Sequence, residues 1–69
     1  MNKTNNKLRS KFVLFGVQQK EVAAEMGINP RVFNNKLRRR TINGYKVYFT
    51  EDQKKWLAER FNMNVNEIE

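Results

Sequence analysis

Between positions 19 and 38 the chain reads Gln-Lys-Glu-Val-Ala-Ala-Glu-Met-Gly-Ile-Asn-Pro-Arg-Val-Phe-Asn-Asn-Lys-Leu-Arg, and no other stretch restricts the fold as much. Val22, Ala23 and Met26 fall on one side at helical spacing, which predicts a helix from Gln18 or Gln19 to Met26. Gly27 follows where a helix end needs a residue that takes positive φ without steric cost. Asn29 suits the N-cap of a second helix and Pro30 its first position, where no backbone N–H is required. Phe33 and Leu37, four apart, give that helix a buried face, and it is expected to end at Arg38 or Arg39. Ala23 fits a crossing so close that little more than a methyl group has room. Two short helices joined by a tight turn over 19–38 make a helix-turn-helix.

Gln19, Val22-Ala23, Met26-Gly27-Ile28 and Phe33 stand at the offsets of a known pattern. Through them the chain resembles the phage Cro/repressor type of helix-turn-helix protein, the lambda-repressor-like DNA-binding domain. The tail Phe61-Asn-Met-Asn-Val-Asn-Glu-Ile68 is also similar to the end of that domain, so the resemblance covers most of the chain. One position departs: Lys36 stands where those domains carry an apolar residue, with Leu37 supplying the contact. That departure bears on how the second helix of the motif is rotated about its axis. The resemblance implies a transcriptional regulator of phage or mobile-element type that binds double-stranded DNA.

The flanks predict one all-α domain over 1–69, of four to five short helices around the central motif. Met1 to Lys7 is polar, offers nothing to bury and is expected to fray. Leu8, Phe12 and Phe15 form the buried stripe of a first helix that starts near Asn5 or Asn6 and stops at Gly16; Val13 and Leu14 point away from it. Asn43-Gly44 between Thr41-Ile42 and Tyr45-Lys46-Val47 is a hairpin signal, while the related domains carry a loop there. Over 40–48 the expectation is a short β-hairpin or an extended excursion. Thr50-x-x-Gln53 opens a fourth helix with a capping box, followed by Leu57 and Phe61 on its buried side, with Trp56 beside them. Asn62 ends it, and Asn64 caps a last turn that returns Val65 and Ile68 to the core.

Composition narrows the function classes. Without Cys or His there are no disulfides and none of the usual zinc sites, which fits a reducing cytoplasm, and the resemblance implies that of a bacterial host. No apolar run approaches the roughly 20 residues of a membrane span. Glu21 and Glu25, one turn apart on a helix surface, are no acid–base couple, and there is no Gly-rich phosphate loop; an enzyme is not expected, nor a cofactor. Residues 1–49 hold eleven Lys and Arg against two Glu, a balance of +9, and residues 50–69 hold three against five acids, −2. A basic body with an acidic end suits a polyanion met by one part of the surface.

Stepping 100° per residue from Phe33 puts Arg38, Arg31 and Asn35 roughly 140–200° away, opposite the core. Asn34 flanks them on one side, Val32 and Arg39 on the other. Arg grips guanine O6 and N7, Asn pairs with adenine N6 and N7, and Val meets a thymine methyl. Pro30 has no donor, so base contacts are expected from Arg31, Val32, Asn34 and Asn35. The resemblance implies a phosphate on Gln19 at the start of the motif's first helix. Lys20, Lys36, Arg38, Arg39, Arg40 and Lys46 are the further backbone candidates, with Arg40 and Lys46 forming a small wing if the hairpin forms. A module this size reads few base pairs, so a homodimer on a palindromic site is expected. Trp56, Tyr48, Phe49 and the 61–68 tail serve either that pairing or the core. The length leaves no room for a ligand-sensing domain. Two other readings stay open: an excision or recombination accessory factor, and a protein-binding module such as an antitoxin or an inhibitor of a nucleic-acid enzyme.

Overall fold

The computed structural model describes residues 5–69. Four helices, α1 (Asn6–Phe15), α2 (Gln19–Met26), α3 (Pro30–Leu37) and α4 (Glu51–Phe61), are joined by an antiparallel hairpin, β1 (Thr41–Ile42) and β2 (Tyr45–Lys46), and a 3₁₀ turn at Val65–Glu67. The fold is all-α with a two-stranded hairpin, and among the described residues no helix is long and apolar enough to cross a membrane. α2 and α3 pack against each other more extensively than any other two helices. Ala23 is wholly buried, as a close crossing requires, beside Val22, Phe33 and Leu37. Phe33 meets the ring of Phe12 from α1 at 6.1 Å and that of Phe49 at 5.5 Å. Phe61 of α4 closes the cluster against Phe12 at 4.9 Å.

All four helices stop in the same way. A residue in the left-handed conformation, Gly16, Gly27, Arg39 or Asn62, turns the chain. The next N–H then reaches back five residues: Val17 to Phe12, Ile28 to Ala23, Arg40 to Asn35 and Met63 to Ala58, all between 2.8 and 3.0 Å. This closure satisfies orphan carbonyls and commonly tucks an apolar residue against the last turn. Val17, Ile28 and Met63 do so, each packed against the core. At the end of α3 the corresponding pair is Arg40 with Asn35, and Arg40 is exposed.

The starts of the helices follow the local signals. Asn29 Oδ1 accepts from the Arg31 N–H at 2.8 Å with Pro30 in the first turn. Thr50 Oγ1 accepts from the Gln53 N–H, and Gln53 Oε1 from the Thr50 N–H. Asn64 Oδ1 caps the last turn, and Ile68 is buried.

Three expectations are corrected. Asn5, placed in a frayed segment, is 1 % exposed. Its Nδ2 donates to the Leu37 carbonyl at 2.8 Å and its Oδ1 accepts from the Glu69 N–H at 2.7 Å, so it fastens the start of α1 to the end of α3 and to the last residue. The fraying expected over residues 1–4 lies outside the described residues. Phe15, expected in the buried stripe, is 43 % exposed and rests edge-on against Phe61 at 5.2 Å, because α1 turns it past the rim of the core. α3 stops at Leu37, a residue early, as Arg39 turns left-handed with φ 50°. Of the aromatics offered for pairing, Phe49 is a core residue, Trp56 is half-buried against the core, and Tyr48 stays exposed.

Candidate nucleic-acid interface

The turn at Gly27 and the cap at Asn29 set α3 across α2 with Phe33 and Leu37 inward. Its other side is what the chain presents to solvent. Arg31 and Val32 are exposed, and the Arg31 guanidinium has no partner among the described residues. Asn34 and Asn35 are half-buried. Arg38 Nε donates to Asn34 Oδ1 at 3.1 Å, which fixes the plane of that amide and leaves its Nδ2 donor and an oxygen lone pair for another group. The backbone carbonyl of Asn35 holds the Arg40 N–H, so the exposed Arg40 follows directly on the end of the helix. Arg31, Val32, Asn34, Asn35 and Arg38 thus share the side of α3 away from Phe33, with Arg40 just beyond its end.

Lys36 does not join them. It lies about 60° from Phe33 around the helix, on the core flank rather than the outer side. Its Nζ donates to Gln53 Oε1 at 3.0 Å, the same oxygen that caps the Thr50 N–H, so this lysine locks α3 to the first turn of α4. Arg39 is also withdrawn. The left-handed turn swings its guanidinium back over the Tyr48 ring at 4.6 Å and onto Glu69 Oε1 at 3.0 Å. Tyr48, and after it Glu69, hold the pKa of Arg39 above its ordinary value, against the opposing effect of burial. Two of the expected backbone cations are therefore engaged by other side chains of the protein.

A second set sits at the start of α2. Gln19 is half-buried and Lys20 exposed, and their N–H groups, in the first turn, have no intrahelical acceptor. Gln19 lines a surface depression with Arg9, Asn6 and Ser10 of α1. Arg9 escaped the sequence reading because nothing in its local pattern distinguishes it from any solvated helix charge; only the packing of α1 beside α2 places a cation next to Gln19. Glu21 points its carboxylate at the Gln18 N–H at 3.3 Å, which puts one negative charge near the same helix end.

The hairpin completes the surface. Lys46 is exposed and pairs across the strands with Thr41, while Ile42 faces Tyr45. From Met26 to Thr50 the chain carries Arg31, Lys36, Arg38, Arg39, Arg40 and Lys46 and not one acidic residue. Among the described residues no cluster of His, Cys, Asp and Glu could hold a metal ion. The arrangement offers planar, multi-donor side chains on a protruding helix and point charges at its margins, a surface suited to a grooved polyanion. Compared with models of known families, with curated proteins and with solved structures, the chain matches none.

Proposed function

We propose that this protein binds double-stranded DNA at specific sequences, with α3 in the major groove, and acts as a small transcriptional regulator of the Cro/repressor kind in a bacterial cytoplasm. One observation carries the reading above the others: of four helix ends built alike, only that of α3 replaces the apolar closure with Asn35 and Arg40. A local packing rule is given up where a polar surface is needed, which is typical of a functional site. Arg31, Val32, Asn34 and Asn35 then read base edges, with Arg38 steadying Asn34. Gln19, Lys20, Arg9, Arg40 and Lys46 hold phosphates, and two copies sit on a palindromic site, since one α3 spans only a few base pairs.

Selection of bound duplexes from a random pool tests the reading directly, and the selected site then serves for variants. Arg31→Ala is expected to cost about 1–3 kcal/mol and to relax preference at one base pair. If Arg31→Ala weakens every single-base variant of the site equally, Arg31 does not read a base and α3 is rolled in the groove. If no sequence is enriched, the reading fails as a whole.

A further inference from the structure

The contacts assigned to α3 leave the tip of the hairpin without a role. Ile42 is 42 % and Tyr45 78 % exposed, and they lie opposite each other on one face of the strands. Neither has an aromatic or hydrogen-bonding side-chain partner among the described residues. Two strands of two residues are not stable alone. This hairpin is held at its base, by the Arg40 N–H on the Asn35 carbonyl at 3.0 Å and the Val47 N–H on the Arg40 carbonyl at 3.1 Å. Beyond it Phe49 is fixed in the core against Phe33. The tip is equally defined: Asn43 and Gly44 have φ of 52° and 82°, the paired positive angles of the turn that matches strand twist. Tyr45 therefore stands on a stiff arm rather than a loose loop.

Charge selects what covers it. Arg40 and Lys46 flank the pair in sequence, and no acid occurs anywhere between Met26 and Thr50, so the segment from α3 through the arm carries positive charge alone. The arm also starts directly at the C-terminal end of α3, held there by the Asn35 backbone carbonyl. At about 3.3 Å per residue, the three residues from Arg40 to Asn43 reach roughly 10 Å beyond the end of the helix. With α3 in the major groove, that length is enough to pass the bordering phosphate strand and enter the adjoining minor groove, about 6 Å wide.

We propose that Tyr45 and Ile42 lie in the minor groove beside the α3 site, against the sugars, with Arg40 and Lys46 on the bordering phosphates. The proposal rests on the reading of α3 given above. It makes the protein recognise a longer stretch than one helix covers, with the flank read by groove width and apolar contact rather than by hydrogen bonds.

The test uses the full chain and the duplex that the wild type selects from a random pool, with hydroxyl-radical footprinting and binding titrations. Tyr45→Ala is expected to bind about five- to tenfold more weakly, the lower end of what an aromatic contact to nucleic acid contributes. It should lose protection of the flanking minor groove while keeping the base preferences of α3, and Tyr45→Phe should retain both. Slow exchange of the Val47 amide in Tyr45→Ala shows that the hairpin is still closed; if it is not, Ile42→Thr, which keeps a β-branched residue, replaces it with the same expectation. Unchanged affinity and footprint in these variants overturn the hairpin contact and leave the role of α3 standing. A change in the sedimentation of the free protein on Tyr45→Ala, with the footprint intact, overturns it in favour of a protein contact. A wild type that selects no duplex overturns the α3 reading and this proposal with it.

Discussion

Asn5→Ala removes the donor to the Leu37 carbonyl and the acceptor of the Glu69 N–H together, in a site closed to water. Leaving such buried groups unpaired costs about 1–3 kcal/mol. In a domain of this size each kcal/mol lowers the melting temperature by roughly 4–8 °C. Thermal melting followed by circular dichroism is expected to show a drop of that order, and a shift within error would mean that water replaces the side chain. Arg39 permits a sharper comparison. Its left-handed backbone costs a non-glycine residue about 1–2 kcal/mol. The Tyr48 and Glu69 contacts, a cation–π pair and an exposed ion pair, return about 0.5–1 kcal/mol each at most. Arg39→Gly, which loses the contacts and relieves the strain, is expected to melt close to wild type, and Arg39→Ala, which only loses the contacts, clearly lower. Equal melting of the two variants would show that the turn at Arg39 carries no strain.

At the scale of elements, the α2–α3 crossing is where packing is least forgiving. Ala23→Leu is expected to force the two helices apart at a cost of about 1–3 kcal/mol. An unchanged melting curve would mean the crossing has slack that its complete burial does not suggest. The elements themselves were legible because their signals are local: Gly27, Asn29-Pro30, Thr50-x-x-Gln53 and Asn43-Gly44 each act within four residues. The outer face of α3 was legible too, since helical periodicity alone separates Arg31 and Asn35 from Phe33. What escaped depends on partners distant in the chain. Asn5 is polar by composition and buried only because residues 37 and 69 come to it. Lys36 reads as a surface cation until Gln53 stands beside it, and Arg39 as one more charge in a run until Tyr48 and Glu69 turn it inward. The end of α3 was placed within a residue or two for want of a glycine there, although the same backbone closure operates at all four helix ends.

For the whole molecule, those withdrawn cations change the expected electrostatics of binding. With Lys36 and Arg39 engaged by other side chains and Arg38 assigned to Asn34, the cations proposed for phosphates are Lys20, Arg40, Lys46 and Arg9, four charges per copy. At about −0.9 per neutralised phosphate, log K against log salt should fall with a slope of roughly −4 for one copy and roughly −7 for two. The slope on the selected duplex therefore reports the stoichiometry as well as the contact, and a nearly flat line would speak against DNA as the main partner. The fastening at Asn5 has a consequence in time. Its partner Glu69 lies 64 positions along the chain, whereas α2 and α3 meet across a turn of three residues. Contacts so remote in sequence form after the local ones, once most of the loop entropy has been overcome. Asn5→Ala should accordingly leave the folding rate almost unchanged and speed unfolding by nearly the whole stability lost. The bond to the Leu37 carbonyl belongs to that late closure, so the end of α3 nearest the hairpin is the part of the proposed binding surface that assembles last and opens first.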